Sequence, residues 1–209
     1  MLLTLIILYI ITLIYISIVE RFRNYSSLIA VQGWLLLGIA LLRLHTLDWM
    51  ELSFIITETL IFKALIVPGI LMRVIKKTGI NRISSTGTSQ FNSLMLSIAA
   101  LTISAILTYY VADQTINMIF FGVALYALLT GLILIVLRSR IFTHMVGFLV
   151  IENGVFLFSM AIGVEMPLLI NAAIMLDILL SVLMLGLFMT KVDKHIHTDD
   201  SDSLTHVKD

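Results

Sequence analysis

The chain has 209 residues, is 60% hydrophobic and only 12% charged, carries no net formal charge and has a mean hydropathy of +1.09, values that exclude an ordinary soluble domain and point to an integral membrane protein. Charge neutrality gives no sign of a nucleic-acid partner or an acidic substrate. The absence of cysteine rules out disulfides and the thiolate ligands of iron–sulfur clusters.

Apolar stretches of membrane length recur along the chain and define an all-α, polytopic protein with seven predicted helices, at about 1–19, 27–43, 51–74, 92–112, 115–137, 144–163 and 167–190. The first, MLLTLIILYIITLIYISIV, lacks a basic leader and a small-residue cleavage site, so it reads as a retained transmembrane helix. The longest connection, KKTGINRISSTGTSQ, is polar and rich in Gly, Ser and Thr. It separates an N-terminal three-helix segment, 1–75, from a four-helix segment, 92–190, with 76–91 as a cytoplasmic loop. The tail 191–209 is polar and acidic and is expected to be disordered.

Lysine and arginine set the expected direction. Eleven of the thirteen fall on one side: Arg21 and Arg23 in the first loop, Arg73, Lys76, Lys77 and Arg82 around the third, Arg138 and Arg140 in the fifth, and Lys191, Lys194 and Lys208 in the tail. Arg43 is on the other side and Lys63 lies within a span. The positive-inside rule then places the amino terminus outside and the carboxyl terminus in the cytoplasm.

Within the spans stand four ionisable groups: Glu58 and Lys63 in the third, Glu152 in the sixth and Asp177 in the seventh. A charge at membrane depth costs at least about 2.5–3.5 kcal/mol, so such residues face protein or water and often mark an ion or proton path; the alternative is a polar contact that only holds helices in register. On α-helical geometry Glu58 and Lys63 lie about 140° apart, so each is expected to answer to another helix. Pro68 cannot donate a backbone hydrogen bond, and a kink or hydrated break is expected beside Lys63. In the sixth span Gly147 and Gly154 form a small-residue stripe suited to close helix approach, and in the seventh Asp177 shares a face with Ala173 and Ser181. Along the expected spans Glu152 sits roughly 12 Å, Lys63 roughly 16 Å, Asp177 roughly 20 Å and Glu58 roughly 24 Å from the cytoplasmic ends. Asn153 and Asn171 are candidate hydrogen-bonding groups inside the bundle.

The remaining polar residues read as bland. His45 and His144 fall at opposite faces, which disfavours a shared haem, and His195 and His197 lie in the tail. Asp48, Glu51, Asp113 and Glu165 read as solvated external caps. No metal site, phosphate-binding glycine loop or nucleophile motif is evident.

The segment 115–190, with VIENGVFLF in its second helix and MLDILLSVLMLGLF in its third, resembles the three-helix NuoK subunit of respiratory complex I and the small NuoK-like subunit of multisubunit (Mrp) Na⁺/H⁺ antiporters. In the complex I subunit the second and third helices each carry a buried glutamate implicated in proton translocation, and by motif position these correspond to Glu152 and Asp177; aspartate at the second position departs from that pattern. Over nearly the whole chain the pattern resembles the hydrogenase-4 component E (HyfE-like) family: the Glu152–Asn153 pair before an apolar run, the Met166–Pro167 turn, the L-D-I-L segment at 176–179, and Lys63 with Pro68. The resemblance implies a non-catalytic membrane subunit of a complex I-related oxidoreductase, of the group 4 nickel–iron hydrogenase or formate hydrogenlyase type. It implies a bacterial or archaeal cytoplasmic (inner) membrane, antiporter-like and other membrane subunits as partners, and a peripheral redox module holding the nickel–iron centre and iron–sulfur clusters, with no cofactor in this chain. A structural adaptor and a subunit of a stand-alone cation/proton antiporter are the alternative readings.

Overall fold

A computed structural model describes residues 1–43, 57–78, 89–111, 116–138 and 141–162, and all its described elements are helices. They are α1 (Leu2–Ile18), α2 (Phe22–Arg43), a π-helix (Thr57–Ile66) that runs directly into α3 (Val67–Thr78), α4 (Gln90–Val111), α5 (Met118–Leu137) and α6 (Ile141–Ile162). In lipid every backbone polar group has to be satisfied within the protein, which is why runs so rich in Leu, Ile and Ala take helical form. Four segments, Phe22–Leu42, Gln90–Val111, Met118–Leu137 and Phe142–Ile162, are long and apolar enough to cross a membrane, and α1 is an apolar helix of 17 residues. The protein is therefore an α-helical, multi-pass membrane protein. The predicted seventh span, with Asn171, Asp177 and Ser181, lies outside the described residues, as do His45, Asp48, Glu51, Asp113, Glu165 and the tail.

The first connection is shorter than expected. Only Val19, Glu20 and Arg21 separate α1 from α2, so Arg23 belongs to the first turn of α2 and not to a loop. The cause is local: the Tyr25 hydroxyl donates to the Val19 carbonyl at 2.9 Å, and Phe22 meets Phe142 edge-on with ring centroids 4.6 Å apart. Burying these two rings draws the polar RNYSS stretch into the helix. At the same end Arg138, itself buried, donates to the Ser17 carbonyl at 3.4 Å in the last turn of α1, where a cation suits the helix dipole. Helices α3 and α4 reach Thr78 and start at Gln90, so each extends slightly into the predicted 76–91 loop.

Helix α2 is the hub, touching α1, the π-helix, α3 and α6. Helices α5 and α6 share the most extensive contact. A Cβ on Gly147 would lie 2.8 Å from the Gly131 carbonyl oxygen, one on Gly131 would lie 2.6 Å from the Gly147 carbonyl oxygen, and one on Gly154 would lie 3.1 Å from the Ala124 carbonyl oxygen. Gly147 and Gly154 thus face α5 along one seam, and their lack of side chains lets the two backbones meet. Helix α4 lies on the flank of α5 through a narrow stripe of Ser93, Ser97, Ala100 and Ser104, and the Ser97 and Tyr126 hydroxyls are 2.7 Å apart. Helix α6 packs against both α5 and α2, and its Glu152 and Phe156 side chains meet Lys63 of the π-helix.

Candidate functional site

The site begins with Lys63. Its ammonium stands 3.0 Å from the Glu152 carboxylate, with the two side chains only 7% and 10% exposed, and 4.5 Å from the centroid of the Phe156 ring. Glu152 and Phe156 are four residues apart on α6, so one face of that helix offers the cation a carboxylate and an aromatic face together. Removing two charges from water costs several kcal/mol each, and close pairing with an additional π contact offsets that cost.

Two structural features aim Lys63 at this partner. The first is the π-helix, in which each hydrogen bond spans five residues and the pitch differs from that of an α-helix. Beside Pro68, where a kink or hydrated break is expected, the structure has ten residues of π-helix ending at Ile66, with Pro68 second in the α-helix that follows. A change of hydrogen-bond register disrupts donor–acceptor matching, and a residue without an N–H leaves no stranded donor there. The Pro68 carbonyl is held in turn by the Ser26 hydroxyl at 2.9 Å. The separation of about 140° expected between Glu58 and Lys63 assumed α-helical pitch and does not apply, because Glu58 lies within the same π-helix.

The second feature is Gly33. A Cβ there would lie 2.9 Å from the backbone of Ala64 and Lys63, so α2 and the π-helix touch backbone to backbone beside the lysine. The preceding residue, Gln32, is wholly buried and accepts a hydrogen bond from Asn153, the neighbour of Glu152, at 3.2 Å. Adjacent residues on α2 therefore fix both halves of the ion pair: Gly33 fixes the π-helix that carries Lys63, and Gln32 fixes the turn of α6 that carries Glu152. Gln32 also donates to the Thr12 hydroxyl at 3.2 Å, and Thr12 donates to the Tyr9 carbonyl at 2.6 Å. A polar chain thereby crosses from α6 through α2 to α1.

Depth follows from helix length. Glu152 lies about 16 Å of helix from Ile141, a little deeper than the sequence reading placed it, because α6 starts at Ile141 and not at 144. Gln32 and Tyr9 are likewise near the middle of their helices. The structure thus brings together Lys63, Glu152 and Asn153 of the predicted residues and sets Gly147 and Gly154 on the opposite, α5-facing side of α6. His144 binds the Arg138 carbonyl at the end of the bundle, away from this site. Gln32, Gly33, Thr12 and Tyr9 escaped the sequence reading; the available signal was an amide next to a glycine inside the apolar run LIAVQGWLLLGIALL.

In chemical terms the arrangement is an acid–base pair with a fixed amide support. The ammonium has a proton to give and the carboxylate can accept one, whereas the amides of Gln32 and Asn153 exchange none and hold the neighbouring helices in place. No protein-family model, curated protein or solved structure matches the chain.

Proposed function

We propose that this chain is the membrane subunit of a complex I-related, energy-converting redox complex of the group 4 nickel–iron hydrogenase or formate hydrogenlyase type. In it the Lys63–Glu152 pair belongs to a proton path, together with Asp177 and Glu58, and the helices link antiporter-like subunits to the rest of the assembly. The observation that carries the reading is the buried 3.0 Å ion pair, set near the middle of α6 and held by a built polar support. Ionisable residues inside a membrane that face protein and pair with each other are the usual components of proton relays. When the carboxylate takes a proton, its attraction for Lys63 collapses, so the pair has two electrostatic states that a neighbouring charge can bias. The resemblance of 115–190 to NuoK-like subunits and of the longer chain to hydrogenase-4 component E supplies the kind of complex in which such a pair would work.

Electron transfer and catalysis fall to partner subunits in this reading. Purification of the tagged chain from its native membrane in mild detergent, followed by mass spectrometry, tests it. Antiporter-like membrane subunits and a peripheral hydrogenase-like module should come with it. Recovery of the chain alone, or with antiporter subunits and no redox module, contradicts the assignment.

A further inference from the structure

Lys63 meets two groups of different kinds on one face of α6. Its ammonium lies 3.0 Å from the Glu152 carboxylate and 4.5 Å from the centroid of the Phe156 ring, inside the roughly 6 Å reach of a cation–π contact. The two attractions respond differently to a proton. A carboxylate that takes one loses its charge and with it most of its hold on the cation, whereas the negative face of a phenyl ring comes from its quadrupole and does not titrate. The ring is also fixed in place: it packs against the buried core, and α6 is joined to α5 at Gly147 and Gly154 and to α2 through Asn153. Four residues beyond Glu152, Phe156 lies about 6 Å further along α6 from the Ile141 end.

We propose that the Phe156 ring is a second seat for the Lys63 ammonium, the one that holds it while Glu152 is protonated. Phe156 is then a positioning residue of the acid–base pair. With the carboxylate charged, the ammonium sits against both groups at once. With the carboxyl neutral, the ring becomes the stronger of these two attractors, and the cation shifts along α6 toward Phe156 and away from the protonated oxygen. A buried cation that loses its counter-ion is destabilising unless another group takes it, and an aliphatic side chain at 156 would offer nothing. Resting on the proton-path reading above, the ring keeps Lys63 close enough to re-form the pair each time Glu152 passes its proton to the next acceptor of that path.

Glu152→Gln imitates the protonated acid. In the full chain in lipid nanodiscs, with lysine isotopically labelled at Cε for nuclear magnetic resonance, the Lys63 signal is assigned by its loss in Lys63→Arg. It should show an upfield aromatic ring-current shift in the wild type and keep or increase that shift in Glu152→Gln. Trifluorophenylalanine in place of Phe156 keeps the ring but removes most of the negative charge from its face, so in the Glu152→Gln background the shift should collapse, a result that packing alone would not give. Loss of the shift in Glu152→Gln with Phe156 intact, or its retention with trifluorophenylalanine, overturns the second seat. In vesicles carrying the assembled complex, proton transport by Phe156→Leu should fall about fivefold, the equivalent of one cation–π contact of about 1 kcal/mol. Normal transport by Phe156→Leu rejects the ring's part in re-forming the pair. Normal transport by Glu152→Gln with the ring-current shift retained rejects the proton-path reading and supports the seat.

Discussion

Replacing Lys63 by methionine removes the ammonium that lies 3.0 Å from Glu152 and keeps a flexible apolar chain of similar length. At 7% and 10% exposure there is little water to solvate the carboxylate left behind, so it either remains charged and unpaired or takes up a proton. Breaking a buried pair from one side costs about 3–5 kcal/mol, whereas replacing both partners with apolar residues of similar volume is often neutral or stabilising. Lys63→Met should therefore destabilise the bundle by about 3 kcal/mol, the contact with Phe156 being lost as well, and adding Glu152→Met to it should recover most of that loss. The resulting coupling energy far exceeds that of a neutral interhelical hydrogen bond in a membrane, which averages about 0.6 kcal/mol. Reversible unfolding in mixed micelles, with helix content followed as denaturing detergent is added, measures all four corners of the cycle. A coupling energy below about 0.6 kcal/mol would refute the account of Lys63 and Glu152 as a desolvated ion pair.

The Gly33→Ala variant puts a methyl group 2.9 Å from the backbone of Ala64 and Lys63, where no flexible side chain can yield. It should cost about 1–3 kcal/mol and weaken the Lys63–Glu152 coupling in the same cycle, whereas Gly69→Ala, whose Cβ would meet nothing within 4 Å, should be close to neutral on packing grounds. Gly147→Leu should separate α5 from α6 and lower the yield of folded protein, because its Cβ alone would already lie 2.6 Å from Ile135 and 2.8 Å from the Gly131 carbonyl oxygen. Impermeant cysteine labelling in intact cells should reach positions 113 and 165 and not the 79–89 loop or the tail after Lys191, as the eleven-to-one distribution of basic residues requires.

What the sequence made legible were residues whose type conflicts with their surroundings. Lys63 and Glu152 stand out because a charge inside an apolar run needs a partner, and Gly147 and Gly154 because their spacing puts two small residues on one helix face. The identity of each partner was not legible: which helix lies beside which is decided by the summed packing of whole faces, and the close approach at Gly33 involves Lys63 and Ala64, thirty residues further along the chain. Gln32, Thr12 and Tyr9 were hidden for another reason. Uncharged polar residues are common in membrane helices, and only their alignment across α1, α2 and α6 makes them a network. A proline in a span suggests a break, but composition does not reveal that the hydrogen-bond register changes before it.

The claim that Glu152 and Asp177 carry protons is tested most directly by their amide variants, which keep nearly the same hydrogen-bonding shape and lose the exchangeable charge. Acidification of vesicles during redox turnover, normalised to the amount of assembled complex, should fall to a small fraction of wild type in both Glu152→Gln and Asp177→Asn, while Asp177→Glu keeps a substantial share. Normal acidification by both amide variants would contradict the account and leave the two acids as packing residues.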